Sequence, residues 1–457
     1  MNSALMADNG CKRVLVVGLG ETGLSCVRHL AAQGHRVTVV DDREAPAHRL
    51  DLRREFPQVP LHAGRFDRRL LSGHDLVVIS PGVPRDQALV REALEAGMEV
   101  IGDIELFART AAAPVLAITG SNGKSTVTRL AGEMCAAAGL DTAVGGNIGV
   151  PALSLLRRPE PEAYVLELSS FQLESTFSLN ARAATVLNVS ADHMDRYAGL
   201  DAYTAAKARI FDGDGRMVLN ADDPQVMRLA RPGRETVRFG LGPPATPGDY
   251  GLDHKDGEPW LLRGGQALMP ARELALPGRH NLANVLAAMA LVESLGVEPG
   301  AMVAAARRFR GLPHRMQPVA EHGGVLWIDD SKATNVGATV AALEGMERPV
   351  ILIAGGDGKA ADFSPLREPV RRRVRRLILM GQDAPRLESL LAPVVDTERA
   401  ADMVQAVQRA AAAARPGEAV LLSPACASFD MYTGFEHRGR VFAQAVRACL
   451  GLEEMQE

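Results

Sequence analysis

PVLAITGSNGKSTVTRL (114–130) decides how this chain is built. PVLAITG is a short apolar run without alternation, the signature of a strand covered on both faces of a parallel sheet. It runs directly into a Gly- and Ser-rich loop, and the loop into a helical stretch. In that order the three form a phosphate cradle. Gly120 and Gly123 let TGSNGKST (119–126) curl into a nest of backbone N–H groups that includes Ser121 and Asn122. Lys124 is placed to reach β- and γ-phosphates, and Ser125 or Thr126 to bind Mg²⁺. A strict Walker sequence would need glycine where Ile118 stands, so the loop is a variant. Its strand-loop-helix context leaves little room for a reading without a nucleotide.

Upstream, RVLVVG (13–18), RVTVVD (36–41), DLVVIS (75–80) and MEVIG (98–102) alternate with helix-like stretches, a βαβ pattern. GLGETG (18–23) lies between the first of these strands and a helix. Its glycines allow close backbone approach, and the helix N-terminus offers free N–H groups to an anion. Asp41 and Asp42 end the second strand, where an acid can meet a ribose hydroxyl. Three readings remain open for this loop: a dinucleotide such as NAD, another diphosphate-linked nucleotide, or a bare tight turn.

Downstream, YVLELS (164–169), ATVLNV (184–189) and RMVLN (216–220) repeat the strand signal. A hairpin is expected around WLLRGGQALMP (260–270) and a long helix over roughly 281–295. After FRGLPHR (309–315), a candidate hinge along with 102–113, strands recur at VLWIDD, PVILIAGG, LILMG and AVLLSP. The reading is α/β with three domains in series, 1–102, 103–311 and 312–457.

Bulk properties narrow the function. With 457 residues the chain exceeds a single core. Its 47% hydrophobic and 23% charged residues describe an ordinary globular protein, and a net charge of −4 gives no reason to expect nucleic acid or an acidic membrane. RRRVRR (371–376), the single basic cluster, is expected on the solvated face of a helix. Neither an apolar signal-length segment in MNSALMADNGCK nor a run of about 18 apolar residues is present, so a cytoplasmic protein without membrane insertion is expected. Five scattered cysteines fit a reducing compartment and argue against zinc.

Lysine is rare: six residues against 45 arginines. An ammonium can give up its proton and react as an amine, which a guanidinium cannot do. Lys124, Lys207, Lys332 and Lys359 lie in TGSNGKST, YTAAKARIF, DDSKATN and GGDGK. Lys12 and Lys255 read as ordinary surface lysines. Two phosphate loops in different domains favour ATP-driven chemistry on a nucleotide-linked substrate. The alternatives are an NAD-linked oxidoreductase with a vestigial P-loop and a nucleotide-gated module without chemistry. Both leave DDSKATN and GGDGK unexplained.

Taken in order, GLGETGLS, SPGVP (80–84), GDIELF (102–107), TGSNGKST, GGNIG (145–149), ELSSFQLE (167–174), NVSADHMDRY (188–197), AAKARIF (205–211), GRHNLANVLAA (278–288), LPHRMQ (312–317), DDSKATN (329–335), GGDGK (355–359) and SPACASFDMYTGFEHRG (423–439) resemble the Mur ligase family over essentially the whole chain. Within it they are most similar to the branch that adds D-glutamate to UDP-N-acetylmuramoyl-L-alanine. The resemblance implies a Rossmann-like UDP-binding domain, a central P-loop ATPase-like domain and a C-terminal Rossmann-like α/β domain. It implies ATP and Mg²⁺, two ions of it, as cofactors, small-molecule substrates and a monomer. Phosphoryl transfer to the substrate carboxylate would be followed by amine attack on the acyl phosphate.

By the same resemblance the catalytic residues are Lys124, Glu167, His193 and Lys207, with Lys207 carbamylated. Ser125, Glu167, His193 and Lys207 would hold the metal. ATP would meet 120–126 together with Asn281, Asn284, Arg315, Asp330 and Lys332. The UDP-substrate would meet Gly20, Thr22, Asp42, Arg43, Ser80, Asn147 and His193. D-glutamate would meet Lys332, Thr334, Lys359, Ser428 and Phe435. Glu21 stands beside the diphosphate loop, where an acid is unfavourable and only its backbone N–H is of use.

Overall fold

Continuous apolar strands joined by amphipathic helices dictate three open sheets, and the computed structural model of the chain has three. It describes residues 10–452 except 65, 195, 277 and 360. The first nine residues of the N-terminal segment read above as free of a signal lie outside the described residues.

The first sheet holds β1 (Arg13–Val17), β2 (Arg36–Asp41), β3 (Leu61–Ala63), β4 (Leu76–Ile79) and β5 (Glu99–Gly102), all parallel in the order β3-β2-β1-β4-β5. The order reverses between β1 and β4, so the loops after these strands diverge and open a crevice at their carboxyl ends. GLGETG and SPGVP lie there.

The second sheet contains β6 (Val115–Thr119), β7 (Thr142–Gly146), β8 (Ala163–Glu167), β9 (Ala183–Val186), β10 (Arg216–Asn220), β11 (Thr236–Phe239), β12 (Tyr250–Lys255), β13 (Glu258–Arg263) and β14 (Gln266–Pro270). The order is β14-β13-β12-β11-β10-β9-β6-β8-β7, antiparallel only across β12-β13-β14. The parallel core places β6 between β8 and β9, so the P-loop leaves the sheet centre beside Glu167, the last residue of β8. The helix Arg279–Val292, followed by one turn to Leu295, is buried over its last nine residues against this sheet.

The third sheet runs β15 (Gln317–His322), β16 (Val325–Asp329), β20 (Ala419–Leu422), β17 (Val350–Ala354), β18 (Val374–Leu379) and β19 (Asp396–Arg399), antiparallel only between β15 and β16.

The RRRVRR expectation is corrected here. Arg371–Arg373 close the helix Arg367–Arg373, but Val374–Arg376 open β18. Val374 is buried, and Arg375 and Arg376 pair with Glu418, Asp396 and Glu398. The run is neutralised locally across two elements instead of forming one basic helix face. The short strands β3, β7, β15 and β19 escape the sequence reading because few of their residues are buried, so they lack an apolar signal. Among the described residues no helix is long and apolar enough to cross a membrane.

Candidate active site

Gly20, Thr22, Asp42, Arg43, Ser80 and Asn147 line one cavity of 520 Å³ between the first two domains. Asp41, the strand-terminal acid, is the organiser of its floor. Its buried carboxylate accepts from Leu19 N at 2.7 Å and from the Arg43 backbone at 2.9 Å. The Arg43 guanidinium adds a fork at 2.8 and 2.7 Å. Burial opposes ionisation, yet Arg43 and these amides hold the carboxyl below the usual range. Asp42 is exposed at the cavity edge, free of that duty. His193, expected here as well as at the metal, does not line this cavity. It sits in a turn with φ +56°, its ring edge-on to Phe171 at 4.9 Å and its Nε2 3.7 Å from Asp192.

The P-loop takes the conformation its glycines predict. Gly123 caps the helix Lys124–Ala137 at φ +83°, and a Cβ there would lie 2.5 Å from Asn284 Oδ1. Ser121 Oγ donates to Ser190 O at 3.0 Å and Asn122 N to Asn188 Oδ1 at 2.8 Å, anchoring the loop to the 188–190 segment. Lys124 Nζ folds back onto the carbonyls of Gly120 and Ser121, both at 2.9 Å.

Glu167 and Lys207 converge on the same loop. Glu167 Oε1 accepts from Asn147 Nδ2 at 2.8 Å, which ties the first cavity to the end of β8, the strand beside β6. Its Oε2 is buried with no hydrogen-bond partner among the described residues. Lys207 is buried, its Nζ 2.8 Å from Gly120 O and 4.3 Å from the Tyr203 ring centroid. Burial and then the Lys124 charge push its pKa well below the ordinary lysine value. Burial likewise lowers Lys124, against the pull of Glu167.

A second cavity, of 510 Å³, runs from the P-loop to the third domain. Asn122, Gly123 and Thr126 line it on one side, Arg315, Asp330 and Lys332 on the other, and Asn281 and Asn284 at its end. Asn284 Nδ2 donates to Asn281 Oδ1 at 3.2 Å, so the two amides present a fixed donor-acceptor pattern. Arg315 Nη2 donates to Ser125 Oγ at 2.7 Å across the domain boundary. Asp330 accepts from Ser423 Oγ at 2.8 Å, and burial pushes it up to about 7.

In the third domain Lys332 Nζ stands 3.8 Å above the Phe435 ring. Burial and then Arg315 lower its pKa to about 8. Thr334 N donates to Lys332 O at 2.8 Å. Lys359 and Ser428 belong to two loops zipped together: Asp357 N donates to Ala427 O at 3.1 Å and Ala427 N to Asp357 O at 2.8 Å. The five residues expected around the amino acid therefore fall on neighbouring loops at the carboxyl ends of β16, β17 and β20.

Several contributors escaped the sequence reading. Arg438 is buried and binds Ser331 Oγ and O at 3.0 and 2.8 Å and the carbonyls of Cys426 and Ala427 at 3.1 and 3.2 Å. It joins the Lys332 and Ser428 loops, and its only sequence mark is its place in FEHRG. Arg196 reaches Pro81 O and Val83 O at 3.0 and 3.3 Å and lies 3.9 Å over Phe171. Asn335 reaches Asn122 Oδ1 and Asp192 Oδ2 at 3.3 and 2.9 Å. Most of these contacts, those of Arg438 to Ser331, Arg196 to Pro81 and Val83, and Asn335 to Asn122 and Asp192, join segments more than a hundred residues apart and leave no local pattern.

Comparison with known proteins agrees with this geometry. Residues 12–102 match the "Mur ligase MurD-like, N-terminal domain" model, 118–292 the "Mur ligase middle domain" and 314–426 the "Mur ligase, glutamate ligase domain". Relatives named UDP-N-acetylmuramoylalanine--D-glutamate ligase include that of Nitrosococcus oceani, 53% identical over 95% of this chain and 96% of its own. The one from Pseudomonas putida is 52% identical over 97% and 99%. In fold the chain is similar to MurF from Acinetobacter baumannii, at a TM-score of 0.61 with 18% identity over 96% of this chain and 92% of that one. It is also similar to the UDP-N-acetylmuramate-alanine ligase MurC from Thermotoga maritima, at 0.59 with 18% identity over 96% and 99%. Three matched domains in the order of the three sheets, and identity above half along nearly the full length of such relatives, show that the chain belongs to the Mur ligase family.

Proposed function

We propose that this chain joins D-glutamate to UDP-N-acetylmuramoyl-L-alanine at the expense of ATP, as a cytoplasmic step of peptidoglycan precursor synthesis. The observation that carries the reading is Glu167. One carboxylate oxygen takes the amide of Asn147, which lines the first-domain cavity, and the other is buried without a hydrogen-bond partner among the described residues. A nucleotide-linked carboxylate and a γ-phosphate would thus be brought to one point, with every component drawn from a single chain. In the proposed division of labour 1–102 holds the UDP moiety, 103–311 the ATP and 312–457 the amino acid.

The substrate carboxylate oxygen attacks the γ-phosphorus and ADP leaves. The amine of D-glutamate then attacks the acyl carbon, loses a proton, and phosphate departs from the tetrahedral intermediate. Lys124 serves the transferring phosphoryl group, whose charge spreads over its equatorial oxygens. Asn281 and Asn284 suit adenine, and Asp330 and Arg315 the ribose and phosphates. Lys332 and Lys359 oppose the two carboxylates of the amino acid, with Thr334, Ser428 and Phe435 around them. Gly20, Thr22, Asp42, Arg43 and Ser80 surround the UDP moiety.

Magnesium is part of this reading. Glu167 Oε2, which has no hydrogen-bond partner among the described residues, fits one cation, with Ser125 as its proposed second ligand. A bare Lys207 ammonium would repel a second, so that ion fits only with Lys207 carbamylated and His193 contributing. Among the described residues no group of three or more His, Cys, Asp or Glu could hold a metal. When bound there, such a metal would supply charge neutralisation for the phosphoryl group.

The test is phosphate release from ATP with UDP-N-acetylmuramoyl-L-alanine and, in turn, D-glutamate, L-glutamate, L-alanine or meso-diaminopimelate. Release with D-glutamate alone is expected. Turnover with any other member of the panel would sink the substrate assignment and spare the ligase class.

A further inference from the structure

We propose that Asp383 is a positioning residue of the amino-acid site: its carboxylate, set beneath the GGDGK loop, fixes the backbone that presents Lys359. The proposal rests on the reading that Lys359 receives a carboxylate of the amino acid.

Lys359 has φ +49°, in the left-handed region that a long side chain occupies at a cost. Such a conformation persists only where its surroundings enforce it. Within the loop, Lys359 N donates to Asp357 Oδ1 at 2.9 Å. From outside, Asp383 Oδ2 accepts from Gly358 N at 2.7 Å, and Asp383 N donates to Gly356 O at 2.9 Å. Gly358 has no room for a side chain: a Cβ would sit 2.5 Å from Phe363 Cζ and 2.9 Å from Asp383 Oδ2.

Asp383 is itself held. It is buried, and Arg386 Nη1 donates to its Oδ1 at 3.0 Å. Arg386 Nη2 reaches Ala361 O at 2.9 Å, and its guanidinium lies 5.0 Å over the Phe363 ring. The same turn grips the neighbouring loop, since Gln382 N donates to Asp430 Oδ2 at 2.8 Å. The turn after β18 therefore holds the Lys359 loop through Asp383 and the Ser428 loop through Asp430. None of these bonds belongs to the sheet ladder, so their loss would displace a side chain and leave the core standing.

The experiment is steady-state kinetics on the full-length enzyme, with KM measured separately for ATP, the UDP-substrate and the amino acid. Asp383→Ala orphans Gly358 N, and KM for D-glutamate is expected to rise roughly tenfold or more. The other two KM values and kcat should stay within about threefold, as for an interaction that serves only one substrate. Asp383→Asn keeps an acceptor and should restore KM to within about threefold of the parent. An unchanged KM for D-glutamate, an equal rise for all three substrates, or an Asn variant no better than Ala would overturn the proposal. Should Asp383→Ala not fold, Arg386→Met decides: it frees the carboxylate and should raise KM for D-glutamate about threefold, and no rise overturns the proposal. If the parent enzyme turns over a different amino acid, the substrate reading fails by itself and the same comparison is made with the amino acid it accepts.

Discussion

The ammonium groups of Lys124 and Lys207 donate to one acceptor, the carbonyl oxygen of Gly120, at 2.9 and 2.8 Å. Two like charges on a single buried dipole are unfavourable, and the more deeply buried of them yields. Lys207 is that one: burial and then the Lys124 charge push its pKa well below the ordinary lysine value.

Lys207→Arg preserves the positive charge and removes the amine. Activity should fall by about 10²–10³-fold, comparable to losing one preorganised electrostatic group. Parent enzyme equilibrated with ¹³C-bicarbonate should show a carbamate carbon by NMR, and the arginine variant none. Full activity in Lys207→Arg would refute a carbamate role.

With Lys332 in the proposed amino-acid site, that site should be sensitive to alkali. With its pKa lowered from the ordinary 10.5 to about 8, the free enzyme keeps the ammonium below that pH and loses it as pH rises through it. KM for D-glutamate should therefore be flat below pH 8 and climb above it, by up to about tenfold per pH unit. Lys332→Arg, which stays charged, should flatten the rise. An identical alkaline limb in both enzymes would exclude Lys332 as its source.

Asp41 supports the first-domain cavity through Leu19 and Arg43. Asp41→Ala should cost about 1–3 kcal/mol of stability by orphaning a buried amide and freeing Arg43. Because the folded-state pKa lies below the ordinary value, the carboxylate's contribution is present above the unfolded pKa and is lost as pH falls through the folded one. Thermal melts at neutral and acid pH should thus differ less in the variant than in the parent. KM for the UDP-substrate should rise and KM for ATP should not.

Asn335 and Arg315 connect the third domain to the P-loop. Asn335→Ala removes two bonds across that boundary and should raise KM for ATP by roughly three- to tenfold. Calorimetric binding of the UDP-substrate, which uses the other cavity, should be unaffected. Equal weakening of both would show that the contact stabilises the second domain and does not join it to the third.

Much of the site was legible because its chemistry needs local sequence. The P-loop must run strand-glycine-lysine-helix, and the Asn281 and Asn284 amides must be spaced to share one helix face. The basic run at 371–376 misled because charge alone does not tell a helix end from the start of a strand; burial of Val374 decides it. ADHMDR alone does not show that His193 packs edge-on against Phe171 and is not among the residues lining the first-domain cavity.

The sequence by itself determined the three α/β units, their order, and the lysines on which an amide ligation would depend. Those features rest on periodicity and on short motifs, which are properties of adjacent residues. Only the tertiary structure decided that Lys124 and Lys207 share Gly120 O, that one Glu167 oxygen has no hydrogen-bond partner among the described residues, and that Asp383 accepts from the backbone beside Lys359. These depend on which strand lies beside which and on what burial does to a charge, and neither is encoded within any one stretch of the chain.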